Sequence, residues 1–223
     1  GIHHHYSMDK FKPEFSRGFF EVEYARNFKD KDLGAYLAEV IFNPNIYPKR
    51  VNQAAGQDLI ETSACNFYGP GVTQPEVEAY YAAIKDTTDL TPISYGLNSR
   101  LVKKDGKLVE EKYKVGGLYS KAIERIVRNL EKAQKYAEND AQRATISTLV
   151  DYYRSGDLRG WDEYSILWAD DTASKVDFIN GFIETYGDPL GMKGSWESIV
   201  NFKDEKASHR TEVISSNAQW FED

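Results

Sequence analysis

Ser94-Tyr95-Gly96-Leu97-Asn98-Ser99-Arg100-Leu101-Val102-Lys103-Lys104-Asp105-Gly106-Lys107, continued by Leu108 to Val115, is the stretch that decides the fold class. The runs on either side of Asp105-Gly106 can pair as two strands, and Asp-Gly suits a tight turn with positive backbone φ. After Gly116-Gly117 the pattern becomes helical. Leu118, Ala122, Ile126, Leu130, Ala133 and Ala137 form one apolar stripe, with Glu124, Arg128, Glu131 and Lys135 elsewhere around the helix. Asn139-Asp140 breaks it, Ile146, Leu149, Val150 and Tyr153 mark a second helix ending at Ser155-Gly156, and a shorter third is expected around Asp162 to Trp168. A hairpin feeding a set of helices reads as α+β, mostly helical, with a small sheet.

The flanks extend that reading. Phe11, Phe15, Phe19, Val22 and Ala25 predict a helix from Lys10 to Phe28, and a second is expected from about Leu33 to Phe42, ended by Asn43-Pro44. Residues 47–71 are rich in Asn, Gln, Gly and Pro and read as a long ordered loop with one short strand. Thr73-Gln74-Pro75-Glu76 is a strong helix start, with Glu76 three residues after the capping Thr73. Downstream, the β-branched and aromatic run Val176 to Tyr186 predicts a strand, and Gly187 to Gly194 a turn. Helix is expected from Ser195 through Phe202 and again from about Lys203 through Trp220.

Composition narrows the function. The 223 residues are 41% hydrophobic and 28% charged, an ordinary globular balance. No stretch approaches the roughly 20 apolar residues that cross a bilayer, so no membrane partner is expected. The net charge of −7 argues against nucleic acid, whose phosphates want a basic surface, and acidic side chains could instead meet a cationic ligand group. The single cysteine, Cys65, excludes an internal disulfide, and without a basic neighbour it reads as a small buried residue rather than a nucleophile. The chain starts Gly1-Ile2-His3-His4-His5-Tyr6 without an initiator methionine and stops just after Trp220-Phe221, so both ends read as cuts through a longer chain. With the true N-terminus expected upstream, cytoplasm and periplasm are both open.

Common catalytic machinery is missing from the sequence. His-Glu-x-x-His, which places two imidazoles one helical turn apart with a general base between them, does not occur. Adjacent histidines such as His3-His4-His5 diverge, and Arg210 and Glu212 do not complete a ligand set around His209, so no metal is expected on this chain. There is no Gly-x-Ser-x-Gly elbow and no phosphate loop. The unusual segment is Phe182-Ile183-Glu184-Thr185-Tyr186-Gly187-Asp188-Pro189. In an extended chain Glu184, Tyr186 and Asp188 share a face, which is either a solvated strand face or a ligand surface. In the second case a carboxylate neutralises an ammonium and a phenol donates to a carbonyl gaining negative charge. Glu197, beside Trp196, faces the same choice.

Phe182-Ile183-Glu184-Thr185-Tyr186-Gly187-Asp188-Pro189-Leu190-Gly191, followed by Gly194-Ser195-Trp196-Glu197, resembles a characteristic block of the dipeptidyl peptidase III family, Phe-Ile-Glu-x-Tyr-x-Asp-Pro-x-Gly and then Gly-x-aromatic-Glu. The helices from Lys114 through Trp168 resemble the same enzymes. Gly1 to Tyr6, Arg50-Val51-Asn52-Gln53, Thr62 to Asn66 and Tyr95 to Arg100 resemble the bacterial, Bacteroides-type branch. The resemblance implies a two-lobed zinc exopeptidase that releases dipeptides from the N-terminus of short peptides. In that family zinc is held by a His-Glu-x-x-Gly-His helix and a further Glu, both downstream of the region matched here. This chain would therefore be an internal piece, inactive alone: residues 1–202 would be the substrate-binding lobe opposite the zinc, and 203–223 the start of the helical zinc-bearing lobe. Zinc would belong to the full-length enzyme, and the partners would be short peptides with a free N-terminus and the zinc-bearing remainder of the same protein. By the same resemblance Glu184 holds the substrate α-amino group, Tyr186 is the catalytic phenol near the scissile carbonyl, and Glu197 is a second acid lining the N-terminal subsites. Where the family often has another Glu two positions before Glu197, this chain has Ser195. The competing class is a stand-alone, non-catalytic peptide-binding or structural domain.

Overall fold

The Asp105-Gly106 hairpin forms as expected. In the computed structural model, which describes residues 9–10 and 12–223, β1 (Ser99–Lys104) pairs antiparallel with β2 (Lys107–Lys112), with Lys104 opposite Lys107 and Ser99 opposite Lys112. Asp105 and Gly106 take φ of 50° and 76°, the left-handed pair that a two-residue turn needs to match the twist of its strands. His3, His4 and His5 lie outside the described residues.

The chain divides into two units, one of residues 1–113 and 182–195, the other of residues 114–181 and 196–223. The first unit contains α1 (Arg17–Asn27), α2 (Lys31–Phe42), α3 (Gln74–Ile84) and the hairpin. Its core gathers Ile60, Phe67, Tyr68, Val72, Val77, Tyr81 and Leu101. Helix α1 starts at Arg17 rather than Lys10, because the Ser16 hydroxyl caps it by accepting from Phe19 N at 3.1 Å. The start of α3 is as read: Thr73 N donates to Glu76 Oε2 at 3.0 Å, and Pro75 sits in the first turn. Between α2 and α3 the long loop forms isolated bridges, Lys49 with Ser63 and Tyr68 with Leu101, in place of a named strand. Leu101 N donates to Phe67 O and Gly69 N to Leu101 O, so the loop runs beside β1.

The second unit holds α4 (Ser120–Ala133), a 3-10 turn over Gln134–Tyr136, α5 (Asp140–Ser155) and α6 (Leu158–Asp170), where the stripe and breaker pattern placed helices. Helix α4 packs on α5 and α5 on α6, burying Ile123, Val127, Leu130, Ile146, Leu149, Val150, Leu158 and Tyr164. Helix α6 begins earlier than expected because Asp157 caps it, accepting from Arg159 N.

The main correction concerns residues 195–202. The expected helix is a strand, β4 (Ser195–Phe202), paired in a two-stranded sheet with β3 (Val176–Glu184). Trp196, Ile199, Val200 and Phe202 are residue types that suit a pleated surface, and an adjacent strand with open hydrogen-bonding groups decides between two local readings of a short apolar run. Helices α7 (Glu205–Ser216) and α8 (Ala218–Glu222) follow, with Asp204 capping α7. No helix among the described residues is long and apolar enough to cross a membrane.

In the second unit a polar link joins α5 to β3 and β4. Fully buried Tyr153 donates its hydroxyl to Asn180 Oδ1 and accepts from Trp196 Nε1 at 3.0 Å, while Asn180 Nδ2 donates to Ser198 Oγ at 3.2 Å. Tyr153→Phe strips that hydroxyl and leaves Asn180 and Trp196 without their partner. It is expected to cost about 2 kcal/mol, measured as a lower urea midpoint for the helical unit. An unchanged midpoint would show that water replaces the hydroxyl without loss.

Candidate functional site

Strand β3 ends at Glu184, and the chain then turns through residues 185–194. The cause lies in Gly187-Asp188-Pro189: Pro189 has no N–H for a ladder, and Gly191 takes φ of +66°. This corrects the reading of Glu184, Tyr186 and Asp188 as three side chains on one strand face. Glu184 is half-buried at the end of β3, Tyr186 is 43% exposed in the turn, and Asp188 is only 2% exposed inside it.

Asp188 organises the loop. Its two carboxylate oxygens accept from the Tyr68 hydroxyl at 2.9 and 3.0 Å. They also accept from three main-chain donors, Leu190 N at 3.2 Å, Met192 N at 2.9 Å and Lys193 N at 2.8 Å. A buried carboxylate is tolerated when donors saturate it in this way. Backbone bonds from Asp188 N to Thr185 O and from Gly191 N to Asp188 O close the turn on both sides. At its far end Gly194 N donates to Leu97 O. A Cβ on Gly194 would lie 2.8 Å from the main-chain carbon and oxygen of Phe182, so only glycine permits this approach.

Lys193 was not singled out in the sequence, yet it is 0% exposed. Its Nζ donates to Tyr81 Oη at 2.7 Å, Ser99 O at 3.1 Å, Ser99 Oγ at 3.2 Å and Gly96 O at 3.3 Å, and it lies 5.0 Å from the Tyr81 ring centroid and 5.6 Å from that of Tyr68. Tyr81 and Ser99 in turn donate to Glu110 Oε1, each at 2.7 Å. Loop 185–194, helix α3 and hairpin β1–β2 are thereby joined through one buried polar network. Burial pulls the Lys193 ammonium down to about 8, against the opposing pull of Glu110 and Asp188. Burial first, and Asp188 second, push the Tyr68 phenol well above its ordinary range, while burial and the bond to Glu110 do the same for Tyr81.

The structure therefore brings Glu184 and Tyr186 together in one unit, on a turn whose shape is set from beneath. Glu197 sits half-buried on β4 in the other unit. A cavity of about 380 Å³ adjoins the turn, walled by Thr185, Gly191, Met192, Tyr81, Tyr95 and Leu97, and neither Glu184 nor Tyr186 lines it. The arrangement offers a half-buried carboxylate and an accessible phenol two residues apart, suited to a cationic group and to a carbonyl oxygen. Among the described residues no three His, Cys, Asp or Glu side chains gather where they could hold a metal ion, and His209 is an exposed helical residue 3.8 Å from Glu212. The described donors do not fit a zinc ion.

Comparisons with known proteins agree on a family. The model of peptidase family M49 matches residues 75–221. A dipeptidyl peptidase 3 from Dictyostelium discoideum is 26% identical over 204 residues, which is 90% of this chain and 28% of that protein. The Rattus norvegicus dipeptidyl peptidase 3 is 30% identical over 103 residues, 46% of this chain and 14% of that protein. The solved structure of DPP III from Caldithrix abyssi superposes with a TM-score of 0.55 at 20% identity, covering 91% of this chain and 38% of that one. The dipeptidyl-peptidase III of Corallococcus sp. strain EGB gives 0.54 at 19%, covering 91% and 37%. These two establish a shared α+β fold. The chain spans well under half the length of each of these proteins.

Two outcomes test the network under the turn. Asp188→Asn keeps the shape but replaces one acceptor oxygen by a donor facing N–H groups, and is expected to cost about 3 kcal/mol in chemical denaturation. For Lys193 the folded chain releases its proton at lower pH than the unfolded chain. The burial penalty is therefore full below pH 8 and is relieved as pH rises from about 8 toward the ordinary lysine range. Stability of the native chain relative to Lys193→Met should rise between pH 8 and about 9.5, below the ordinary titration of tyrosine near 10. A difference that stays flat across that window would show that the ammonium remains charged.

Proposed function

Because this chain belongs to peptidase family M49, we propose that it is the part of a zinc-dependent dipeptidyl peptidase that grips the substrate, an internal segment whose zinc ligands lie elsewhere in the protein. Residues 1–202 then form the lobe opposite the zinc, and 203–223 begin the zinc-bearing lobe. The observation that supports this most directly is the turn itself. An exposed Tyr186 and a half-buried Glu184 follow each other on a loop held by the buried Asp188 and Lys193.

An exopeptidase that counts two residues from a free N-terminus needs a fixed anion for the substrate ammonium, and Glu184 supplies it. Tyr186 donates its phenolic hydrogen to the scissile carbonyl oxygen as negative charge builds there, a contact that is worth most when the donor is already in place. The Asp188–Tyr68 pair and the buried Lys193 provide that preorganisation by leaving the turn no slack. Glu197 is a second acid for the same ammonium, with Ser195 in place of the further acid common in the family. Bound zinc would polarise the carbonyl and activate water. Short peptides with a free N-terminus are the substrates, and neither nucleic acid nor membrane is a partner.

In the full-length enzyme Tyr186→Phe should lower kcat on a dipeptidyl-arylamide on the order of a hundredfold with a much smaller change in KM. Glu184→Gln should act mainly on KM, raising it about tenfold. An unchanged kcat removes Tyr186 from the chemistry. The 223-residue chain alone, with zinc added, should release no arylamine, and clear turnover would overturn the division of labour.

A further inference from the structure

Arg100 differs from Lys193, the fully buried cation under the turn. On β1 it shares a face with Val102, while Leu101 points the other way into the core with 0% exposure. Its Nε is buried with no hydrogen-bond partner. Glu111, directly across the hairpin, is held instead by Lys104 Nζ at 2.8 Å, and among the described residues no carboxylate pairs with Arg100. Buried donors in folded chains are satisfied in the great majority of cases, so one left open calls for an explanation.

Arg100 lines a cavity of about 690 Å³, large enough for a small organic molecule. Tyr36 and Tyr47, with Val40, Ile60 and Val72, contribute aromatic and aliphatic walls, and the cavity also takes in the main chain of residues 69–71. That main chain can lie so close because Gly69 has no side chain: a Cβ there would sit 3.0 Å from Val102. Cys65 on the same wall is a neutral thiol, pushed up to about 12 by burial and by Asp188, and competes for no cation. Among the described residues, Glu61 is the one charged side chain on the wall apart from Arg100, and it is exposed and has no cation of its own.

We propose that this cavity is a binding site for a small monocarboxylate with an apolar or aromatic body, its carboxylate held by Arg100 and its body against Tyr36, Tyr47 and Val40. The planar fork of arginine donates two parallel bonds to a carboxylate. One cation opposed by one wall carboxylate suits a single negative charge and disfavours the double charge of phosphate. The site includes neither Glu184 nor Tyr186 and does not depend on the peptidase reading.

Calorimetric titration of the full 223-residue chain with N-acetyl-L-phenylalanine tests it, with the neutral N-acetyl-L-phenylalaninamide and inorganic phosphate as comparison probes. The acid should bind at least about tenfold more tightly than the amide and than phosphate. Arg100→Gln should lower acid affinity by about tenfold or more and leave the weak amide binding unchanged. Tyr36→Ala, at a wall residue that is 54% exposed, should weaken acid and amide alike by several-fold, and so serves even if the Arg100 variant fails to fold. Equal binding of acid and amide, tighter binding of phosphate, no binding of the acid, or indifference to Tyr36→Ala would each overturn the proposal.

Discussion

Asp188 is a carboxylate in a place where a carboxylate is costly, and the geometry around it follows from that cost. Its oxygens collect the Tyr68 hydroxyl and the main-chain N–H groups of Leu190, Met192 and Lys193. Those donors can converge only if the chain after β3 curls into one particular turn, closed by Gly191 with its positive φ and by Gly194 against Phe182. The same turn carries the Lys193 side chain inward, where its ammonium meets Tyr81, Ser99 and Gly96. One buried charge thus fixes the loop to the core, and the next fixes it to α3 and the hairpin. Because both charges are saturated, any rearrangement of the turn would strand donors or acceptors in a dry interior, and this makes the turn stiff.

That stiffness is what the family's chemistry can use. Glu184 ends a strand and Tyr186 stands on the turn, so neither depends on a flexible loop for its position. A phenol that stabilises developing charge gains from being held before the reaction begins, since reorganising it during the step would consume the benefit. The proposed role of Glu184 and Tyr186 in peptide binding is compatible with membership of peptidase family M49, and the turn explains how they could be held for it. Glu197, on β4, belongs to the other unit and reaches the same role only through the reading of the whole enzyme.

Lys193 and Arg100, both inward-facing cations of the first unit, make a useful contrast. Lys193 is surrounded by acceptors and links pieces of the fold. Arg100 keeps an unpaired Nε beside an open cavity with aromatic walls. Residue type and charge are nearly the same in the two cases. The supply of acceptors separates a cation that holds the fold from one left available to a ligand.

Much of the local structure was legible in the chain. The Asp105-Gly106 turn, the Thr73–Glu76 helix start and the positions of α4 and α5 depend on neighbours within a few residues, and each formed where the pattern placed it, although α4 buries Ile123, Val127 and Leu130 and leaves Ala122 and Ala133 of the expected stripe exposed. Residues 195–202 did not follow, because a short run of Trp, Ile, Val and Phe satisfies helix and strand alike and pairing with β3 decides between them. Glu184 and Tyr186 could be singled out as a polar pair beside a Gly/Pro turn, but period-two alternation wrongly placed Asp188 on their face. Lys193 was invisible: lysine is ordinarily a surface residue, and its acceptors, Tyr81, Gly96 and Ser99, lie far from it in sequence. What the sequence by itself determined, then, were the elements and turns governed by short-range sterics and capping. Tertiary structure alone decided which charges are buried and which are open, because that depends on partners that only folding brings within hydrogen-bonding distance.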